Sequence, residues 1–420
     1  MGSNRSFTGG NTVRYPAPDV ARGVMLILIS LAHVGLWSQL VPVQATPTTL
    51  DAVFTVLRVG LVDVRAYPLF AMLFGFGLAV MARRRITHQL HSTNTSPTDH
   101  EDTAHENTAH GGSAYRETGT ALEDAQADAR RLLRRRGWWM LPFGFVHGLI
   151  FPTEVIGTYG ILALVCAGLI SRGKHRQMLA IATPFFIVSI AAAALRVFIS
   201  QDASPPFRTL EGSGAALLSN ISGWLVTTVA GLVFTAVVMA TSIGVYLAST
   251  DVLTSPEKHR RLLLISAVSG LSVAMFSGLP QGLAQVGALT EVGYGAPTWW
   301  MYCLSALGGL AGGWGWLSLI TVLTGPAPGN GQLRGIRWVL SAVGRRSMTA
   351  YIAQSVVFAL LFLVLEHTGL AMSESLNVLI AWLVWAVIAL ACVSMEVAGR
   401  RGPLETLLRQ AVAASARPRV

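Results

Sequence analysis

Residues 347–397 read SMTAYIAQSVVFALLFLVLEHTGLAMSESLNVLIAWLVWAVIALACVSMEV, two apolar runs at 347–365 and 376–397 joined by a short polar turn. A helix needs about 20 mostly apolar residues to cross roughly 30 Å of hydrocarbon. Both runs reach that length, and Glu396 is the single charged side chain in either. Inside a bilayer every backbone N–H and C=O must be satisfied within the protein, so continuous runs of this kind are helices rather than open strands. Outward from this pair the pattern recurs at 24–43, 66–82, 137–152, 155–171, 177–198, 222–248, 262–279 and 298–324. The chain is therefore expected to be an all-α polytopic membrane protein of about ten transmembrane helices.

Composition points the same way. Of 420 residues 52% are hydrophobic and 12% charged, half the roughly 25% of a soluble domain, so lipid is the main solvent. The formal charge of +10 does not mark a nucleic-acid surface, because the basic residues sit in short clusters between apolar runs. They fall at Arg5, Arg14 and Arg22, then Arg83 to Arg85, Arg130 to Arg136, Arg172 to Arg176, Lys258 to Arg261, Arg334 to Arg346 and Arg400 to Arg419. With ten spans all of these share one side, and the opposite loops around 44–50, 199–215, 280–297 and 366–375 hold only Arg208. The positive-inside rule then places both termini in the cytoplasm of a multi-pass protein of the bacterial cytoplasmic membrane. Cys166, Cys303 and Cys392 lie in apolar runs with no disulfide or zinc spacing.

Five segments are expected: a cytoplasmic N-terminal segment (1–23), a first transmembrane pair (24–82), a cytoplasmic basic linker (83–136), central helices (137–248) and a C-terminal transmembrane domain (249–420). One helix over 53–82 would overshoot the bilayer, so a break is expected where Asp63, Arg65 and Pro68 cluster. Residues 86–129 are hydrophilic and read as a disordered linker. The spacing of its His88, His91, His100, His105 and His110 is too irregular for a metal site, and no metal is expected. The Gly308 to Gly315 run, which lacks the lysine and strand of a phosphate loop, reads as close helix packing.

Ionisable groups within spans are costly, which makes them the informative set. His33 lies midway along the first run, Asp63 and Arg65 at the break, His147 late in the third run and Glu154 in the turn after it, with Tyr159 just beyond. Carboxylates and imidazoles in partly dry surroundings suit general acid–base work. His147 and Glu154 are seven residues apart and would share a helix face if Pro152 did not end the helix. The plainer readings are an interhelical hydrogen bond for His33 and a mutually neutralising kink pair for Asp63 and Arg65.

Several strings together resemble the YeiB-like bacterial membrane family, whose C-terminal part is the domain of unknown function 418. They are Asp19-Val20-Ala21-Arg22-Gly23, Arg65-Ala66-Tyr67-Pro68-Leu69-Phe70 with Leu73-Phe74-Gly75-Phe76-Gly77, and Gly144-Phe145-Val146-His147-Gly148 with Glu154 and Tyr159. Gly344-Arg345-Arg346-Ser347-Met348-Thr349-Ala350-Tyr351 with Gln354-Ser355, and Arg401-Gly402-Pro403-Leu404-Glu405, complete the set. The N-terminal part of that family also looks like heparan-α-glucosaminide N-acetyltransferase, in which His33 falls at the place of an active-site Asn. The relative's catalytic histidine has no counterpart in residues 41–52.

The resemblance implies a membrane-embedded acyltransferase that moves an acyl or acetyl group from cytosolic acyl-CoA to an envelope or exported acceptor. On that reading His33, His147, Glu154 and Asp63 are catalytic, and Arg65, Tyr159, Tyr351, Gln354 and Ser355 line the substrate path. Arg134, Arg135, Arg136, Arg345 and Arg346 hold the acyl-CoA phosphates. The expected co-substrate is acyl-CoA (acetyl-CoA), with no covalently bound cofactor. The expected partners are the lipid bilayer and a small-molecule, lipid or glycan acceptor, with a homodimer allowed and nucleic acid excluded. The alternative is a transporter or flippase for a small or lipid-linked metabolite, in which the same buried ions form a pathway.

Overall fold

The computed structural model describes residues 15–94, 110–195, 197, 214–293, 295–326 and 333–416. Among them the chain is all helical apart from loops and one isolated bridge between Gln44 and Met372. The main helices are α1 (Pro16–Trp37), α2 (Thr49–Leu61), α3 (Ala66–Asn94), α4 (His110–Gly148), α5 (Ile156–Ser171), α6 (His175–Ala193) and α7 (Gly214–Phe234). They continue as α8 (Val237–Leu247), α9 (Arg260–Gln285), α10 (Trp299–Thr324), α11 (Ile336–Gly344), α12 (Ser347–Leu365), α13 (Glu374–Val397) and α14 (Pro403–Ala414).

Eight stretches among the described residues are long and apolar enough to cross a membrane: Pro16–Leu40, Thr49–Ser92, His175–Ala193, Leu217–Phe234, Arg260–Gln285, Trp299–Thr324, Ser347–Leu365 and Glu374–Val397. The chain is a polytopic membrane protein. α5 and α8 are apolar but shorter. The outward faces of α6, α7 and α9 carry large apolar side chains such as Ile187, Val226, Val268 and Phe276, as a lipid-facing surface requires. α1 runs through the middle, packed on α3, α10, α11, α12 and α13. That contact depends on Gly344, where a Cβ would lie 1.8 Å from the Asp19 carbonyl oxygen.

The break before the second long span is real. α2 starts with a capping box between Thr48 and Asp51 and stops at Leu61, and Val64 takes φ +63°, the one left-handed non-glycine among the described residues. Trp316 Nε1 donates to the freed Leu61 carbonyl at 2.7 Å. The expected single span at 222–248 is instead two helices, α7 and α8. Thr235 Oγ1 accepts from Val237 N (3.3 Å) and Tyr67 Oη accepts from Ala236 N (3.3 Å), so side-chain oxygens replace backbone acceptors at the gap.

The disordered linker expected over 86–129 is corrected in part. Residues 86–94 and 110–129 are helical, as extensions of α3 and α4, while 95–109, including His100 and His105, fall outside the described residues. At 39 residues α4 is roughly 58 Å long and projects well beyond a bilayer. Ala125, Ala129 and Leu133, spaced by four, form a fully buried stripe, of which Ala129 and Leu133 pack with Leu78 and Ala82 of α3 and with Ala163 and Ala167 of α5. An Arg85–Asp128 ion pair ties the two extensions together. Alanine-rich helix formers with one narrow apolar stripe fold here because neighbouring helices cover that stripe.

Basic clusters that lie far apart in sequence meet at one end of the bundle, where Arg22, Arg84, Arg136 and Arg345 line a common cavity. At the other end the 44–50 and 366–375 loops meet through the Gln44–Met372 bridge and through Asp51, which accepts from the Ser375 backbone (2.7 Å) and hydroxyl (2.6 Å).

Candidate active site

α4 ends at Gly148 with His147 on its last turn, and the chain then folds back through Pro152 so that Glu154 returns beneath the histidine. The return is close. A Cβ on Gly144 would lie 2.8 Å from Glu154 Oε1, and one on Gly148 would lie 2.2 Å from Trp224 Cδ1. His147 Nδ1 and Glu154 Oε2 are 3.9 Å apart, and both side chains are fully buried.

Glu154 caps α5. It accepts from the Ile156 backbone, from Gly157 N at 2.9 Å and from the Trp224 indole at 2.7 Å. Three N–H donors and the positive end of a helix answer one buried carboxylate. On its other side the imidazole meets the C-terminal half of the chain, with His147 Nε2 2.8 Å from Ser355 Oγ on α12.

Rings enclose this group. Tyr351 packs edge-on to His147 with centroids 5.0 Å apart, and Phe151 lies 6.0 Å from His147 and 4.5 Å from His33. His33 is also 6.0 Å from Tyr351, so the two histidines flank the same pair of rings. Phe70 and Phe74 each lie 4.7 Å from the buried Tyr159.

A cavity of about 570 Å³ leads from the basic end toward this group. Arg22, Arg84, Arg136 and Arg345 stand around it with Glu405, its walls include Phe70, Phe74 and Met140, and Ile156, Tyr159 and Tyr351 line it as well. Tyr351 thus borders the cavity on one side and His147 on the other.

The sequence-derived candidates divide accordingly. His33, His147, Glu154, Tyr159, Tyr351 and Ser355 come together. Asp63 belongs to another network, paired with Arg58, which in turn bonds Glu374 at 2.5 Å. Arg65 is fully buried between α9 and α10, where it donates to Ser305 Oγ (2.7 Å), Ala274 O (2.7 Å) and Ser277 Oγ (3.1 Å). It holds helices together. Gln354 donates to the Leu26 carbonyl at 3.0 Å, which ties α12 to α1.

Among the arginines, Arg345 lines the cavity while also pairing with Glu396 at 2.5 Å. The buried Arg346 is engaged by Glu396 (2.7 Å), the Ala342 carbonyl (3.0 Å) and the Arg400 carbonyl. Arg136 reaches the cavity and Arg134 is exposed. Sequence reasoning passed over Arg22 and Arg84 as ligand contacts, although both stand in the basic runs it singled out. It passed over Trp224 altogether, because an indole within an apolar run carries no mark of the carboxylate it serves.

An imidazole held between a hydroxyl and a carboxylate is able to accept a proton and to have its cation stabilised. No curated protein and no solved structure matches the chain. Residues 247–415, the part that supplies Tyr351 and Ser355, match the family described as protein of unknown function (DUF418).

Proposed function

We propose that the protein is a membrane-embedded acyltransferase that takes an acyl group from acyl-CoA at its basic end and passes it to an envelope or exported acceptor. The observation that carries this reading is the cavity: cationic where Arg22, Arg84, Arg136 and Arg345 surround it, aromatic within, and bounded by the tyrosine that touches His147. Its volume of about 570 Å³ falls inside the roughly 300–1,000 Å³ of small-molecule sites. A nucleotide thioester needs cations for its phosphates, an apolar passage for its arm, and a base near its carbonyl.

In this reading His147 is the base and Glu154 stabilises its protonated form, while His33 stands on the far side of Phe151. The basic end faces the cytosol of a bacterial cell and the protein sits in the cytoplasmic membrane, by the positive-inside rule.

Two measurements test it. Acetyl-CoA is expected to raise the unfolding temperature of the purified protein, because a ligand that binds only the folded state stabilises it. Mass spectrometry of envelope lipids and secreted glycans is expected to find an acyl modification lost in deletion cells and in His147→Ala cells that still hold the protein. An unchanged profile together with no acyl-CoA stabilisation sinks the reading, and uptake of a solute by proteoliposomes would then favour the transporter.

A further inference from the structure

Building on the acyltransferase reading, we propose that Ser355 is the nucleophile, so that the acyl group rests on Ser355 Oγ as an ester between donor and acceptor. Ser355 sits where the chemistry needs a nucleophile. Its Oγ lies 2.8 Å from His147 Nε2, and His147 Nδ1, buried without a hydrogen bond, faces the Glu154 carboxylate at 3.9 Å. Hydroxyl, imidazole and carboxylate in that order are the arrangement that activates a serine.

The hydrogen bonding of Ser355 also departs from that of several other serines in the chain's helices, although Ser30 likewise reaches another helix, donating to the Ala381 carbonyl at 2.9 Å. Ser242, Ser269 and Ser394 each donate to the carbonyl four residues back, at 2.8 Å, 2.8 Å and 2.9 Å, which is how a lone hydroxyl is ordinarily satisfied in a membrane helix. Ser355 is bonded to an imidazole that comes from α4, 208 residues away in sequence. The nitrogen that would act as base is therefore already engaged by a hydroxyl of this chain.

Placement relative to the cavity agrees. Ser355 is four residues after Tyr351 on α12 and shares its helix face, so the hydroxyl lies about one turn, or roughly 5 Å, beyond a residue that lines the cavity. Each half-reaction balances. Ser355 Oγ attacks the thioester carbonyl while its proton moves to His147 Nε2. The C–S bond then breaks, the proton passes to sulfur, and the CoA thiol leaves by the basic end. In the second half an acceptor hydroxyl or amine attacks the ester carbonyl, His147 takes its proton and returns it to Oγ, and the C–O bond to Ser355 breaks. The ester lets the donor depart before the acceptor arrives.

The test uses full-length protein in nanodiscs, acetyl-CoA as the probe, and no acceptor. An acyl-enzyme requires exchange of labelled CoA into acetyl-CoA. Ser355→Ala is expected to lower that exchange by about 100-fold or more while acetyl-CoA still raises its unfolding temperature. Ser355→Cys, which keeps a nucleophile, is expected to retain exchange and to carry an acetyl mass that hydroxylamine removes. If the wild type is stabilised by acetyl-CoA yet exchanges nothing, or Ser355→Ala exchanges as well as the wild type, the serine only positions His147 and the proposal is overturned with the acyltransferase reading intact. If acetyl-CoA neither stabilises nor exchanges, both fall together.

Discussion

Replacing Glu154 by glutamine is the sharpest perturbation of this site, since it keeps the shape and removes the charge. Oε1 accepts from Gly157 N (2.9 Å) and the Trp224 indole (2.7 Å), and Oε2 accepts from Ile156 N and faces His147. Either orientation of the new amide aims an NH₂ at an N–H. At least one charge-assisted bond worth about 1.5–3 kcal/mol is lost, and a buried donor is left unanswered at a further 1–3 kcal/mol, roughly 2.5–6 kcal/mol in all. Trp224→Phe keeps the packing against Gly148 and removes one donor, so about 1.5–3 kcal/mol is expected there. Thermal and denaturant unfolding in detergent should rank wild type above Trp224→Phe and Trp224→Phe above Glu154→Gln. In the acetyl-CoA assay Glu154→Gln should also lose more than its surviving folded fraction explains, because the imidazolium loses its counter-charge. Wild-type stability in Glu154→Gln would refute the argument, since a carboxylate with three N–H donors cannot be exchanged for an amide at no cost.

Other outcomes follow from the same geometry. Arg136→Ala should weaken acetyl-CoA binding by about 10- to 100-fold, the equivalent of one charge-assisted phosphate bond, while Arg134→Ala, at an exposed position, should leave it unchanged in the same titration. Gly344→Ala sets a methyl 1.8 Å from the Asp19 carbonyl and should cost about 1–3 kcal/mol or more, read as reduced accumulation in the membrane and a lower unfolding temperature. At the exposed Asp251 the hydrogen bond from His259 (2.6 Å) holds the carboxyl below its usual range. A depressed carboxylate contributes order that is present above its unfolded pKa and lost as pH falls through the folded value. Amide exchange in 251–259, corrected for intrinsic rates, should therefore hold constant down through mildly acidic pH and rise only below the ordinary carboxylate range, with Asp251→Asn showing the faster exchange throughout.

Much of the architecture was legible residue by residue. The runs at 347–365 and 376–397 became α12 and α13 almost to the residue, and the charges and proline at 63–68 marked a genuine break. The buried extension of α4 was missed because Ala125, Ala129 and Leu133 are too small and too few to register against the polar residues around them. The candidate site was legible only in part. His147 and Glu154 stood out as ionisable groups amid apolar sequence, and the same signal in Asp63 and Arg65 led to structural networks instead.

The sequence by itself determined the solvent, the helices and the end of the bundle at which the basic clusters gather, because hydropathy and charge act on each segment separately. Only the tertiary structure decided that Glu154 doubles back beneath His147, that Trp224 donates to it, and that Ser355 crosses from the other half of the chain to complete the group. Such contacts depend on how glycine-thinned helix surfaces nest at close range, and that fit is a property of paired surfaces that no single segment carries.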